Sequence, residues 1–192
     1  GIGDTIAKWY ESAPVFDQAS DLTVFDRLAY HSAHLIHDML LEESEPALEA
    51  VRAGDYDNEL VRTLINTIIG LAGTVGGFGG VRARESGAHS VHDGLTRVAG
   101  SAATMHGEKV AYGVLVQLLV EGKESEVQAL LPFYATIGLP HSWRQMNLEF
   151  TDGNLQTVAD FAAAPDSPFH AAVPGVTPAQ IIEAMRTLET LA

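Results

Sequence analysis

Apolar residues recur every three or four positions along most of this chain, and that rhythm restricts the fold to packed helices. The clearest case is segment 21–44, with apolar positions at Leu22, Phe25, Leu28, Ala29, Leu35, Ile36, Met39 and Leu40. Such spacing places apolar side chains on one side of a helix. No segment alternates apolar and polar residues long enough to indicate a strand. The sequence therefore predicts an all-α, bundle-like fold of about eight helices, forming one domain over residues 1–192.

Breaker and capping residues divide the chain into its predicted helices. Proline lacks a backbone N–H and is tolerated only in the first turn of a helix, so it marks both ends and starts. Pro14 and Gly54 are interpreted as helix ends, and Thr177-Pro178 as a helix start. The predicted helices are 1–11, 21–44, 45–53, 58–75, about 83–96, 106–125, 126–139, 154–164 and one from 178 onward. The strongly apolar segment 58–75 is expected to be buried.

The chain is strongly acidic, which limits the partners it can bind. It has 25 acidic and 11 basic residues, a formal charge of −14, and no cluster of lysine or arginine. Nucleic acid and anionic membranes attract positive surfaces, so neither is expected as a partner. The lack of cysteine fits a cytoplasmic protein. The sequence contains no run of 18 apolar residues, so no transmembrane helix is predicted. Because the chain opens on glycine, we expect a piece of a longer protein.

Three histidines near the middle of the sequence are candidates for a metal site. His89 and His92 are three positions apart on a predicted helix, about 60° apart around its axis, and His106 opens the next helix. Small neighbours leave room for imidazoles to converge on Zn²⁺ or Fe²⁺, although a single histidine is more often structural. Spacing does not select the carboxylate that would complete the set. Glu108 is expected to compensate the helix dipole, and Lys109 to pair with an acid.

Four segments carry a resemblance to a known family. They are GIGDTIAKWYE at the start, GAHSVHDGL, MHGEKVAYGVLVQL and the closing VTPAQIIEAM. Together they resemble the carboxy-terminal half of glycerol dehydrogenases, in the metal-dependent, so-called iron-containing alcohol dehydrogenase superfamily. The resemblance implies that Asp4, His89 and His106 each donate one ligand to a divalent metal, which acts as a Lewis acid on an alcohol oxygen. It also implies a catalytic role for His92, beside the ligands or near the proton path.

Three departures from the family pattern bear on the metal and the substrate. The iron-using relatives have a further histidine ligand four residues after the aspartate, where this chain has Lys8, so zinc is expected rather than iron. Asp93 stands where glycerol dehydrogenases usually have asparagine, and residues 82–89 also differ from the usual run. The resemblance implies a small polyol such as glycerol as substrate, with a hydroxy acid as the alternative.

The resemblance also implies a cofactor that these residues do not hold. Hydride transfer requires NAD, and in this family an amino-terminal α/β domain binds it, a domain expected to be absent from this chain. GGFGG at 76–80 fails the G-x-G-x-x-G pattern because Arg82 occupies the last glycine position. It is interpreted as a helix break where backbones pack closely, with Phe78 near the family's cleft. The chain alone is expected to be inactive, and the family implies a homo-oligomer.

Other interpretations of the sequence remain open. A dehydroquinate-synthase-like lyase would carry glutamate in place of Asp4 and more basic residues. A non-catalytic scaffold would keep the helices without needing the metal ligands. A second group, His31, His34 and His37, has a spacing of three, and we interpret it as a polar flank of a surface helix because the family places no ligands there. His141 and His170 are isolated and receive no role.

Overall fold

The computed structural model describes residues 1–191, and within them the chain is helical without a strand. Its α-helices are α1 (Ile2–Gln18), α2 (Val24–Arg52), α3 (Glu59–Asn66), α4 (Ala72–Gly79), α5 (Gly87–Leu95), α6 (His106–Val120), α7 (Glu124–Ile137), α8 (Asp152–Ala162), α9 (Phe169–Ala172) and α10 (Pro178–Thr190). A π-helical turn, Thr67–Leu71, joins α3 to α4, and 3-10 turns cover Gly80–Ala83 and Ser101–Ala103. The predicted all-α fold is confirmed.

The described residues fall into two compact units. The first comprises Gly1–Arg84 and the second begins at Glu85. The prediction of a single domain over residues 1–192 stays a prediction.

In the first unit, α1 and α2 pack along their apolar faces. Ile6, Phe16, Ile36 and Leu40 are fully or almost fully buried. The ring of Phe16 meets that of Tyr30 edge-on, with centroids 6.0 Å apart. This pairing fixes the orientation of α1, the helix that carries Asp4 in its first turn.

α1 runs past Pro14, at which the sequence predicted its end, and α2 runs past the break predicted between residues 44 and 45. α1 continues beyond Pro14 to Gln18, and α2 continues through Pro46 to Arg52, so the predicted separate helix 45–53 is wrong. An internal proline removes one hydrogen bond and costs about 3 kcal/mol. Here each helix goes on to bury another apolar side chain: Phe16 after the first proline and Ala47 after the second. Packing therefore extends both helices.

The apolar segment 58–75 is largely exposed, so the prediction that it is buried is wrong. Val61 and Leu64 face inward, whereas Ile65 and Ile69 are 50% and 71% exposed, because the helices of the first unit cover only one side of this segment. Glu59–Ala83, a 25-residue helical stretch, has an 18-residue window of mean hydropathy 1.5 that is 22% buried. By length and composition alone this stretch is long and apolar enough to cross a membrane, whereas the sequence predicted no transmembrane helix.

Within the GGFGG segment the helix continues as far as Gly79, and Gly79 is the tightly packed glycine, against side-chain atoms rather than the backbone that was predicted. α4 ends at Gly79, and Gly80 follows with a φ of 56°. A Cβ atom on Gly79 would lie 2.3 Å from Cβ of Ala83 and 2.9 Å from Cβ of Ala29. Only glycine fits at Gly79 without displacing its neighbours.

In the second unit, α6 is the central helix. It contacts α5, α7 and α10, and its residues from Lys109 to Leu118 are all buried. Two buried polar side chains are satisfied against it: Tyr134 donates its hydroxyl to the Ala111 carbonyl at 2.9 Å, and Trp143 donates its indole N–H to the Tyr112 hydroxyl at 2.9 Å. These bonds meet the requirement that buried polar groups be paired.

Glycines let the neighbouring helices approach α5 very closely. A Cβ on Gly113 of α6 would lie 2.3 Å from the carbonyl oxygen of Ala88, and a Cβ on Gly94 would lie 2.7 Å from the carbonyl oxygen of Val158. In both cases the obstacle is backbone, which cannot rotate away. The separation between α5 and α6 is therefore set at Gly113.

We expect Gly113→Ala to destabilise the chain by about 2 kcal/mol or more, because the added methyl group collides with the backbone of α5. Urea unfolding followed by circular dichroism measures this loss. Gly153→Ala in α8 is the matched control: nothing lies within 4 Å of its added Cβ, so we expect no loss and a gain of up to about 1 kcal/mol. Equal stability of the two variants would contradict this account of the packing.

Candidate metal centre

Helix α5 presents two histidines on one side. His89 is half-buried and His92 is buried, and their ring centroids are 6.2 Å apart. The spacing of three residues places them about 60° apart around the helix axis, as the sequence predicted.

A glutamine from α6 anchors the first turn of α5. Gln117 is fully buried, and its side-chain oxygen accepts the Ala88 N–H at 3.0 Å and the Ser86 hydroxyl at 3.3 Å. Ser86 does not cap the helix with its own side chain, so this oxygen satisfies one of the N–H groups left unpaired at the helix start. Gly87 permits the approach, since a Cβ there would lie 2.7 Å from the same oxygen. The residue before His89 is thus held by α6.

His106 is the first residue of α6, and the groups around it fix the helix start. Glu108 accepts the backbone N–H of Met105 at 2.8 Å, so its carboxylate lies at the positive end of the helix dipole, as expected. The predicted pairing of Lys109 with an acid is not the arrangement observed. Its buried ammonium donates to the Ser101 carbonyl at 3.1 Å, because the 3-10 turn supplies an acceptor inside the core.

The packing of α5 against α6 brings His89 and His106 together. Their ring centroids are 5.6 Å apart, and one nitrogen of each ring lies within 4.8 Å of the other. Two imidazole nitrogens at this proximity, on two helices held by Gly113 and Gln117, are suitable donors for a divalent transition metal.

His92 connects this pair to an acid. Its Nε2 lies 3.0 Å from Nδ1 of His106, and its Nδ1 lies 2.9 Å from Oδ1 of Asp93. Burial lowers the pKa of the His92 imidazole below its ordinary value, and His106 lowers it further, while Asp93 acts in the opposite direction. A lowered pKa keeps His92 neutral at neutral pH. Its catalytic role stays a prediction.

Asp4 belongs to the first unit. It lies in the first turn of α1 and is half-buried. Lys8, one turn further along the same helix, donates its ammonium to the Arg84 carbonyl at 3.0 Å. The assignment of Asp4 as a metal ligand stays a prediction.

The second histidine group is engaged locally, as the polar-flank interpretation requires. Nδ1 of His34 and Nδ1 of His37 lie 3.2 and 3.0 Å from the two carboxylate oxygens of Asp38. The Tyr10 hydroxyl lies 3.0 Å from Nε2 of His37. Among residues 1–191, neither these two histidines nor His31 belongs to a group of ligand atoms close enough to share one metal ion.

Gln117, which positions His89, was not predicted from the sequence, and neither was the pairing of Asp93 with His92. A glutamine in the middle of an apolar helix was a signal for the first, because a fully buried amide requires partners. No sequence signal indicated the second: residues adjacent on a helix do not normally face each other.

No family model matches this chain, but curated proteins resemble it over its whole length. An uncharacterized oxidoreductase of Synechocystis is 38% identical over 96% of the chain. Glycerol dehydrogenase of Pseudomonas putida is 34% identical over 100% of it, and hydroxycarboxylate dehydrogenase A of Escherichia coli is 31% identical over 99%. The chain spans 48%, 52% and 52% of these three relatives, respectively, so it corresponds to about half of each.

A solved structure has the same fold. The crystal structure of a probable glycerol dehydrogenase from Sinorhizobium meliloti matches 99% of this chain with a TM-score of 0.89 and 26% sequence identity. The match covers 54% of that chain.

We expect Gln117→Leu to lower the free energy of unfolding by about 1–3 kcal/mol, because the Ala88 N–H and the Ser86 hydroxyl lose their buried acceptor. Gln128→Leu is the control: Gln128 is exposed and donates to Glu124 one turn away, so its loss should stay within about 0.5 kcal/mol. Urea unfolding curves measure both. If Gln117→Leu were as stable as Gln128→Leu, Gln117 would not anchor α5.

Proposed function

We propose that this chain, which belongs to the glycerol dehydrogenase family and corresponds to its carboxy-terminal half, is the metal-binding half of an NAD-dependent alcohol dehydrogenase. The observation that carries the proposal is the convergence of His89 and His106 on α5 and α6. The relatives' names, which include an oxidoreductase and two dehydrogenases, support the class of reaction.

The metal ligands in this proposal are Asp4, His89 and His106. Two neutral imidazoles and one carboxylate form a donor set that suits Zn²⁺ and leaves one coordination position for substrate. With Lys8 in place of a fourth ligand, zinc is preferred over Fe²⁺. When bound, the cation supplies Lewis acidity toward the oxygen of the alcohol.

The chain's own residues prepare this centre. His92 is neutral at neutral pH because its pKa is lowered, so it adds no positive charge beside the cation. Gln117 and Gly113 hold α5 against α6 and thereby keep the separation of the two histidine ligands constant. Such rigid placement is what a catalytic metal centre requires of its protein.

The hydride acceptor is bound elsewhere in the complete enzyme. Residues 1–191 contain no strand and hence no strand–turn–helix unit of the kind that binds a dinucleotide. We therefore assign NAD to a nucleotide-binding half, consistent with the double length of the relatives. When bound there, NAD would supply the hydride acceptor that the oxidation of an alcohol requires.

A small polyol is the substrate we favour, with a hydroxy acid as the second candidate. One relative is named a glycerol dehydrogenase and another a hydroxycarboxylate dehydrogenase, at similar identity. We further propose a cytoplasmic homo-oligomer. Its acidic surface, with a net charge of −14, disfavours binding to nucleic acid or to an anionic membrane.

We expect the chain to retain about one Zn²⁺ ion after dialysis and to lose it to a chelator, because three protein ligands bind a catalytic zinc ion stably. His89→Ala, His106→Ala and Asp4→Ala should each abolish retention, measured by elemental analysis. His31→Ala is the control and should retain the metal, since His31 is exposed and outside the ligand group. A wild-type chain without metal would favour the scaffold alternative.

We expect no NAD reduction from this chain alone, because residues 1–191 contain no strand–turn–helix unit of the kind that binds a dinucleotide. Joined to the nucleotide-binding half, the same chain should oxidise glycerol or a small hydroxy acid, followed by absorbance at the NADH band, and His106→Ala should remove the activity. Comparing kcat/KM for the two substrates distinguishes the candidates. A measurable rate from the chain alone would contradict the assignment of NAD to another half.

A further inference from the structure

We propose that Asp93 is a positioning residue that acts through His92 to hold His106 in the tautomer that coordinates metal through Nε2. The inference rests on the proposed function only in identifying the ligand as a divalent cation. It concerns the three side chains Asp93, His92 and His106, which form one hydrogen-bonded chain within the second unit.

The donor and acceptor in each of these hydrogen bonds follow from Asp93, which is the acceptor at one end of the series. An ionised carboxylate has no hydrogen to donate, so the 2.9 Å contact between Asp93 and Nδ1 of His92 requires the hydrogen to reside on that nitrogen. A neutral imidazole has only one N–H. Nε2 of His92 is therefore an acceptor.

The second contact then fixes His106. Nδ1 of His106 lies 3.0 Å from Nε2 of His92. Because that nitrogen of His92 accepts, His106 must donate from Nδ1, and its lone pair resides on Nε2. A histidine that ligates metal usually donates its other N–H to such a partner, which fixes the tautomer and ring orientation and raises the basicity of the ligand.

Burial protects the middle of this hydrogen-bonded series from exchange with water. His92 is only 9% exposed, whereas the Asp93 side chain is about half exposed and His106, at the other end, is exposed. Water therefore competes little for Nε2 of His92, and the order of donors and acceptors set at Asp93 is transmitted through His92 to His106.

The charge of Asp93 adds to its role as an acceptor. An asparagine here would also accept the His92 N–H through its side-chain oxygen, and would select the same tautomer without the negative charge. We therefore expect Asp93→Asn to keep the tautomer and Asp93→Ala to release it. Without the carboxylate, His92 can carry its hydrogen on Nε2 and donate it to Nδ1 of His106. His106 then holds its own hydrogen on Nε2, the nitrogen that would coordinate the metal.

The test reads the tautomers directly. In the ¹⁵N-labelled, metal-free chain, long-range ¹H–¹⁵N correlation spectra should show the hydrogen on Nδ1 of both His92 and His106. Asp93→Asn should give the same pattern, and Asp93→Ala should shift both rings toward Nε2–H. Asp160→Ala is the matched control: this exposed acid accepts from Gln156 on its own helix, α8, and the pattern should not change.

Zinc affinity, measured by competition with a chromophoric chelator, gives the second readout. Asp93→Ala should bind Zn²⁺ about 10–100-fold more weakly than wild type, the range for loss of a group that orients a ligand. Asp93→Asn should lose less, and Asp160→Ala nothing. Circular dichroism and urea unfolding establish that each variant is folded.

The outcomes separate this inference from the proposed function. Unchanged tautomers and affinity in Asp93→Ala, or Nε2–H on His106 in the wild-type chain, would overturn the role of Asp93 while leaving a metal site intact. Tautomers as expected in a chain that binds no zinc would overturn the metal centre, and with it the function that the tautomer is proposed to serve.

Discussion

The close approach of α5 to α6 is the constraint on which the candidate site depends. It exists because Gly113 has no side chain where the Ala88 carbonyl passes, and because Gln117 gives the start of α5 a buried acceptor. Both contacts involve the residue directly before His89. A methyl group added at this contact would displace α5 and change the distance between His89 and His106. The geometry of the site therefore depends on the packing of the two helices.

The histidines of the chain occupy two kinds of environment. On α2, His34 and His37 share a partly exposed carboxylate, Asp38, and are paired within their own helix or with α1. On α5 and α6, the partners of His92 come from two helices, and the ring is buried between them. Because His92 is buried and has partners on both helices, the donor and acceptor roles of its two ring nitrogens are fixed.

Helix propensity and breakers predicted most of the fold, but they failed where packing outweighs them. The start at Thr177-Pro178 is confirmed because capping is local chemistry. The break predicted between residues 44 and 45 is wrong because the burial of Ala47 continues the apolar face of α2. The prediction that segment 58–75 is buried is wrong because the hydrophobicity of a helix does not show how many of its sides the neighbouring helices cover.

The sequence by itself determined the helical class, the acidic surface, and the residue types from which a metal site is built. It identified His89, His92 and His106, since their spacing and small neighbours are local properties of the chain. Only the tertiary structure decided that Asp93 pairs with His92 and that His92 pairs with His106. Those bonds depend on how far apart two packed helices lie, a distance that follows from side-chain volumes summed over the core and from no single stretch of residues.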